Sequence, residues 1–120
     1  MINTIDRRVR SLAHLASTKA YSSEIRRGKH CAIVFDNQCN IVASFVNCGR
    51  IHAEEGAVAM LEKQTSSSKY TLLVVRTMRS TGQTNMSKPC KRCEAAIQKC
   101  AKIDQVIYSE GNGKFGFIYM

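Results

Sequence analysis

The feature that most constrains the fold of this chain is the alternation of short apolar runs with stretches of helical periodicity. Five runs have the length and composition of buried strands: CAIVF (31–35), IVASFV (41–46), YTLLVV (70–75), DQVIYS (104–109) and FGFIY (115–119). One helical stretch precedes the first run, and the others precede the third and the fourth. This order predicts an α/β fold, a three-layer α-β-α sandwich with a mixed five-stranded sheet. Strands joined across a helix should be parallel, and those joined by short turns antiparallel.

The N-terminal segment, 1–28, is predicted to be a basic helix and a linker that pack on a core formed by 29–120, within a single domain. The linker is expected around YSSEIRRGK (21–29). Asn3 or Thr4 is the expected N-cap of the helix. The helical spacing rests on four apolar residues: Ile5, Val9, Leu12 and Ala16.

The other two helices are predicted to begin near His52 and at Pro89. Proline suits the first turn of a helix, because its missing N–H has no partner there. Between strand and helix, 77–88 has no periodicity and is interpreted as a long surface loop of the kind that often carries function. The EGNGK segment (110–114) predicts a tight turn, which makes the last two strands antiparallel.

Charge and hydropathy bound the partners and the location. The net charge is +9, from 18 Lys+Arg against 9 Asp+Glu. This excess favours anionic partners, nucleic acid among them, or simply keeps a small protein in solution. No apolar run approaches the roughly 20 residues of a membrane span, and the N-terminus carries charges where a signal peptide is apolar. We therefore expect a soluble, cytoplasmic protein with no membrane partner.

Six cysteines in a chain without a signal peptide indicate metal binding or buried thiols rather than disulfides. Cys90 and Cys93 form a Pro-Cys-x-x-Cys motif, which places both thiols on one side of a helix's first turn. The helix dipole is expected to lower their pKa there, and thiolates are good zinc ligands. The remaining four are expected to pack as small hydrophobic residues: Cys31, Cys39, Cys48 and Cys100.

A second motif, His52-Ala53-Glu54, completes a defined chemistry. One imidazole and two thiolates give zinc three protein ligands and leave a fourth position for water, whose pKa zinc lowers. The Glu54 carboxylate can then move a proton. Residues at i and i+2 do not normally share a helix face. His52 and Glu54 can converge only if His52 lies at the very start of the helix.

With both motifs in place, residues 29–120 resemble the cytidine deaminase superfamily, whose signature is H-x-E followed by P-C-x-x-C. The resemblance implies zinc on His52, Cys90 and Cys93, with Glu54 as the general acid/base. It also implies hydrolytic deamination of a cytosine-type nucleoside or nucleotide, such as cytidine or deoxycytidine, to the uridine product and ammonia.

Three further positions follow from the same resemblance. The backbone N–H of Ala53 would contact the base, and Asn47 is the nearest match to an Asn that often contacts sugar or base; Asn47 fits a strand-end turn equally well. A Ser or Glu usually precedes Pro-Cys directly. Here Lys88 stands in that position and Ser87 is displaced by one residue, so a substrate role for Ser87 does not carry over.

Two features favour different substrates within the superfamily. The antiparallel last hairpin resembles the branch that acts on free nucleosides. The histidine ligand resembles the branches that act on deoxycytidylate, on tRNA and on single-stranded nucleic acid. We give the topology more weight. A deaminase of RNA or single-stranded DNA remains an alternative because of the +9 charge, and a non-catalytic binding or structural protein is another. The size, and the end of the chain just after the last strand, lead us to expect a homodimer or homotetramer.

Overall fold

The computed structural model describes residues 2, 4–22, 29–64, 68–78 and 83–120. Three helices and six strands follow one another along the chain, in this order: α1 (Arg7–Ser22), β1 (Lys29–Phe35), β2 (Ile41–Val46), α2 (Ala53–Glu62), β3 (Tyr70–Thr77), β4 (Thr84–Asn85), α3 (Lys91–Lys99), β5 (Ile103–Gly111) and β6 (Lys114–Tyr119). None of the helices within the described ranges is both long and apolar enough to cross a membrane.

The strands form one mixed sheet in the order β2-β1-β3-β5-β6, with β4 paired to the end of β3. The pair β3 and β5 is parallel, as expected of strands joined across a helix. The β1–β2 and β5–β6 hairpins are antiparallel, as predicted. The predicted sandwich is therefore confirmed, but the sheet has six strands where the sequence indicated five.

The two faces of the sheet carry separate apolar cores. Because side chains alternate along a strand, Ala32 and Val34 of β1 lie in the core under α2 and α3, whereas Ile33 and Phe35 lie in the core under α1. All four of these side chains are buried. The apolar runs lack polar alternation for this reason, since both faces of the central strands are covered by helices.

Helix α1 begins later than the sequence indicated. Its N-cap is Asp6, whose carboxylate Oδ1 accepts the backbone N–H of Val9 at 2.9 Å. Thr4 lies outside the helix, so its prediction as the cap was wrong; Asn3 lies outside the described residues. The central part of the predicted linker, 23–28, also lies outside them.

The position of α2 depends on a close approach between the helix and β2. A Cβ built on Gly56 would lie 2.2 Å from the Phe45 ring, so only glycine leaves room for that ring. Glycine in a helix costs roughly 1 kcal/mol relative to alanine. Here it allows the first turn of α2 to lie directly against β2.

Candidate metal centre and active site

The predicted ligands His52, Cys90 and Cys93 meet at one end of the sheet. His52 immediately precedes α2 and Cys90 immediately precedes α3, both in extended backbone conformation. The His52 Nδ1 atom lies 3.1 Å from Cys93 Sγ and 3.8 Å from Cys90 Sγ. All three ligand atoms lie within 4.8 Å of one another. Segments distant in sequence thus form one donor cluster.

This cluster could hold a metal ion. With zinc–sulfur bonds of about 2.3 Å and zinc–nitrogen bonds of about 2.0 Å, neighbouring donors in a tetrahedral site lie roughly 3.6 Å apart. The two His52–cysteine distances, 3.1 and 3.8 Å, bracket that spacing. One imidazole nitrogen and two sulfurs also form a donor set that favours zinc over hard cations such as magnesium. The residues therefore fit zinc in both geometry and chemistry.

The electrostatics of Cys93 differ from the prediction. Burial raises the pKa of its thiol, and the negative charges of Glu54 and Cys90 add to that effect. For Cys93, burial and these charges oppose the lowering of the pKa that we expected from the helix dipole. A bound cation would reverse the balance, because it stabilises the thiolate directly.

Glu54 and His52 line the same pocket, of about 330 Å³. The geometric requirement set by the sequence is met: His52 precedes the helix in extended conformation and Glu54 lies in its first turn. The Glu54 side chain is only 5% exposed, so its carboxylate lies in a largely desolvated position. Ala53 and Asn47 also line the pocket.

Asn47 has a structural role that the sequence left open. Its Oδ1 atom accepts the backbone N–H of His30 at 3.0 Å, which joins the end of β2 to the start of β1. His30 and Lys88 line the pocket as well, and neither was assigned a role from the sequence. Lys88 could have been recognised from its position, since it directly precedes the Pro-Cys of the cysteine motif.

Ser87 lies apart from the pocket lining, within a buried network. Its Oγ donates to the Val74 carbonyl at 2.8 Å, and the Ser109 N–H donates to Ser87 Oγ at 2.8 Å. Ser87 thus connects β3 and β5 at their carboxyl ends, directly beyond β4. The segment predicted to be an irregular loop is, in its second half, a short strand followed by this buried serine. Residues 79–82 lie outside the described part of the chain.

The four remaining cysteines only partly follow the prediction. Cys31 and Cys100 are buried, as small hydrophobic residues would be. Cys39 is half-buried and adopts a positive φ of 63° in the turn after β1. Cys48 is exposed, so its prediction as a packed residue was wrong.

An ion pair joins the starts of α2 and α3. Arg92, between the two cysteines of the motif, donates through Nε to Glu55 Oε2 and through Nη2 to Glu55 Oε1, both at 2.8 Å. The same Nη2 donates to the Arg50 carbonyl at 2.9 Å. Arg92 lowers the pKa of the Glu55 carboxyl, and the hydrogen bond from the His52 N–H lowers it further. This contact was not predicted from the sequence.

Comparisons with known proteins show the fold. The chain is similar to the dCMP deaminase of cyanophage S-TIM5 in its apo form, with a TM-score of 0.66 and 20% identity over 91% of this chain and 88% of that one. The same enzyme in complex with dCMP and dUMP gives a TM-score of 0.64 at 18% identity, over 88% and 83% of the two chains. RibD of Acinetobacter baumannii gives 0.50 at 15% identity, over 82% of this chain but only 26% of RibD.

No protein-family model matches the sequence, and no curated protein matches it significantly. The structural likeness confirms that the chain has the cytidine deaminase-like fold. At these identities the likeness concerns the fold, and the function has to be argued from the residues of the site.

Proposed function

We propose that this protein is a zinc-dependent hydrolytic deaminase of a cytosine-type nucleoside or nucleotide. The observation that carries the proposal is the placement of a buried carboxylate, Glu54, in the same pocket as His52 and Cys90. A metal site that only stabilised the fold would have no need of a carboxylate at that position. Acid/base chemistry beside the metal requires one.

Within this proposal, His52, Cys90 and Cys93 hold the zinc ion. Zinc, when bound, would supply a water molecule of lowered pKa as the nucleophile. The Glu54 carboxylate oxygens would hold a proton and deliver it to the base, whose exocyclic amino group leaves as ammonia. Ala53 belongs to the first turn of α2, whose N–H groups have no acceptor within the helix. It can therefore donate to a carbonyl of the base.

The nucleotide form of the substrate has independent support. The compared cyanophage enzyme is a dCMP deaminase whose structure contains dCMP and dUMP. In the present chain, Lys88 lines the pocket and adds positive charge beside the space for a ligand. We therefore favour a pyrimidine nucleoside monophosphate over the free nucleoside, against the weight that the sequence analysis gave to the last hairpin.

A deaminase of RNA or single-stranded DNA is the second candidate, favoured by the net charge of +9. Polymer binding of that kind relies on basic grooves with exposed aromatic residues for base stacking. Tyr70 is buried, and Phe115 and Phe117 pack against the core under α1. These residues are therefore not available as a stacking surface.

The test is a mass-spectrometric deamination screen of the zinc-loaded protein beside its Glu54→Gln variant. The panel contains cytidine, deoxycytidine, their monophosphates, single-stranded DNA and tRNA. We expect turnover of a monophosphate by the parent protein and a rate lower by about 10²–10⁴-fold in the variant, with zinc content and melting temperature unchanged. Turnover of a polymer alone would support the second candidate. Zinc binding without any turnover would indicate the non-catalytic role.

The homodimer or homotetramer expected from the sequence remains a prediction. Light scattering coupled to size-exclusion chromatography of the zinc-loaded protein measures it directly.

A further inference from the structure

The three contacts of the Arg92 guanidinium join parts of the chain that are far apart in sequence. Its two hydrogen bonds to Glu55 span 37 residues, and its bond to the Arg50 carbonyl spans 42. We refer to Arg92 with these two partners as the Arg92 bridge. Bidentate pairing of a guanidinium with a carboxylate fixes orientation as well as distance, because both groups are planar.

Each part of the Arg92 bridge is adjacent to a predicted metal ligand. Arg92 lies within the Cys-x-x-Cys turn, and Glu55 Oε1 also accepts the backbone N–H of His52 at 3.0 Å. Arg50 belongs to the turn between Cys48 and Ile51, which pair through two backbone hydrogen bonds just before His52. The bridge therefore touches both segments that contribute ligands.

The bridge is too exposed for its main role to be the stability of the fold. The Arg92 and Glu55 side chains are 57% and 24% exposed, and exposed ion pairs typically contribute about 0–1 kcal/mol. Local electrostatics give it another role. The starts of α2 and α3 converge, each with the partial positive charge of a helix N-terminus. A carboxylate between them offsets that repulsion, and the Glu55 carboxylate contacts both segments.

We propose that Arg92 and Glu55 are positioning residues that hold the His52 imidazole against the two cysteine thiols, in the arrangement that a metal ion needs. The proposal rests on the metal site of the proposed function. The three donor atoms lie within 4.8 Å of one another. Contacts around metal ligands commonly contribute about 10–100-fold to metal affinity, and the Arg92 bridge connects both ligand-bearing segments.

The test is the zinc affinity of the full chain, measured by competition with a chromogenic chelator. We expect Arg92→Gln and Glu55→Gln each to weaken binding by about 10-fold or more. The double variant should be no weaker than the poorer single variant, because both changes break the same interaction. Arg92→Lys should fall between Arg92→Gln and the parent, since lysine keeps the charge but not the planar fork.

Lys91→Gln is the matched control. Lys91 is exposed in the same helical turn, and its replacement removes the same charge from the same neighbourhood. Its zinc affinity should stay within about twofold of the parent protein. The cobalt absorption spectrum gives a second readout. We expect the ligand-field band of a tetrahedral site in the parent and in Lys91→Gln, with a shifted or weakened band in Arg92→Gln.

Three results would overturn the proposal: equal losses in Lys91→Gln and Arg92→Gln, additive losses in the double variant, or parent-like affinity in all variants. Thermal melting of the metal-free variants identifies any that have unfolded. A parent protein that binds no zinc would overturn both the metal site and the bridge. A parent protein that binds zinc but deaminates nothing would overturn the proposed function, and the affinity series would still decide the role of the bridge.

Discussion

The two ends of the sheet each have a pocket, and they differ in what their polar groups do. The pocket lined by His52 and Cys90, at what we call the metal end, has a volume of about 330 Å³. The pocket at the opposite end has a volume of about 810 Å³. In the larger pocket, Asp6 caps α1. Asp36 accepts the backbone N–H groups of Gln38 and Asn40, both at 2.9 Å. Those carboxylates are engaged in holding turns together.

At the metal end, by contrast, burial raises the pKa of the Cys93 thiol, and the negative charge of the Glu54 carboxylate beside it raises that pKa further. By volume alone, the larger of these two pockets would be the first hypothesis for a functional site. In this protein the smaller pocket has the reactive groups. The bonding partners of the polar side chains therefore distinguish the two pockets more clearly than the pocket volumes do.

The largest expected effect is on zinc affinity, and it should distinguish two buried cysteines, Cys93 and Cys100. Cys93→Ala removes a proposed ligand, and we expect zinc affinity to fall by more than about 100-fold, with loss of turnover. Cys100→Ala removes a similarly buried thiol that packs in the core. It should cost roughly 1 kcal/mol of stability and keep the metal. Zinc per chain after dialysis, measured by atomic emission, distinguishes the two; equal retention would remove Cys93 from the ligand set.

A second pair of variants compares the two pockets directly. Asn47→Asp keeps an oxygen that can accept the His30 N–H but loses the amide donor. If the amide contacts substrate, kcat/KM should fall by about 10–100-fold, mostly through KM, because a donor is lost from a polar contact worth about 1–3 kcal/mol. Asn37→Asp, in the lining of the larger pocket, should leave kcat/KM unchanged. Steady-state kinetics on the identified substrate measures both, and a parent-like Asn47→Asp would leave Asn47 with its structural role alone.

Packing at the metal end is the next target. Gly56→Ala places a methyl group within 2.2 Å of the Phe45 ring. Overpacking of this kind costs about 1–3 kcal/mol. Because the Gly56 N–H donates to the carbonyl of His52 at 3.0 Å, a shift of Gly56 should move that proposed ligand, and zinc affinity should fall as well. Gly113→Ala meets no atom within 4 Å and is strained only by its φ of +74°. Urea denaturation with zinc titration should show a stability change in both variants and an affinity change in Gly56→Ala alone.

The smallest expected effect concerns Asp36, in the lining of the larger pocket, and the pH dependence of stability. Hydrogen bonds from the backbone N–H groups, that of Asn40 first, lower the pKa of Asp36 in the folded protein. The unfolded chain therefore binds this proton more tightly. The contribution of ionised Asp36 to the stability of the fold is present above the unfolded pKa of about 3.9. It is lost as the pH falls through the pKa of the folded protein. Asp36→Asn should flatten the pH dependence of stability below pH ~4. Equilibrium denaturation between neutral and acidic pH checks this, with turnover expected to be unchanged.

Most of the fold could be predicted from the sequence, because apolar periodicity reports burial directly. The buried runs became β1, β3 and β5, and the short turns placed β2 and β6 as antiparallel partners. The convergence of His52 with Cys90 and Cys93 was also predictable. Each residue lies at the start of a helix that follows a strand, and such helices begin at the same end of a sheet.

Polar contacts between distant segments could not be predicted. The Glu55–Arg92 pair and the Ser87–Ser109 network depend on where α3 and β4 lie against the sheet, which no local pattern encodes. Strand β4 is only two residues long and polar, so it has no apolar signature. The cap at Asp6 was missed because Asn3 and Thr4 are equally good cap residues by type.

The separation of the proposed ligands along the chain has a mechanical consequence. A metal ion held by His52 together with Cys90 and Cys93 would close loops of 38 and 41 residues. The entropy cost of closing a loop grows only slowly with its length, so one ion can link segments this far apart in sequence. Binding to the folded state alone also stabilises that state by mass action. The ion would therefore link the starts of α2 and α3 directly and close the segment between them, which contains the central strand β3. Removal of the ion by a chelator should increase proteolytic cleavage within that segment.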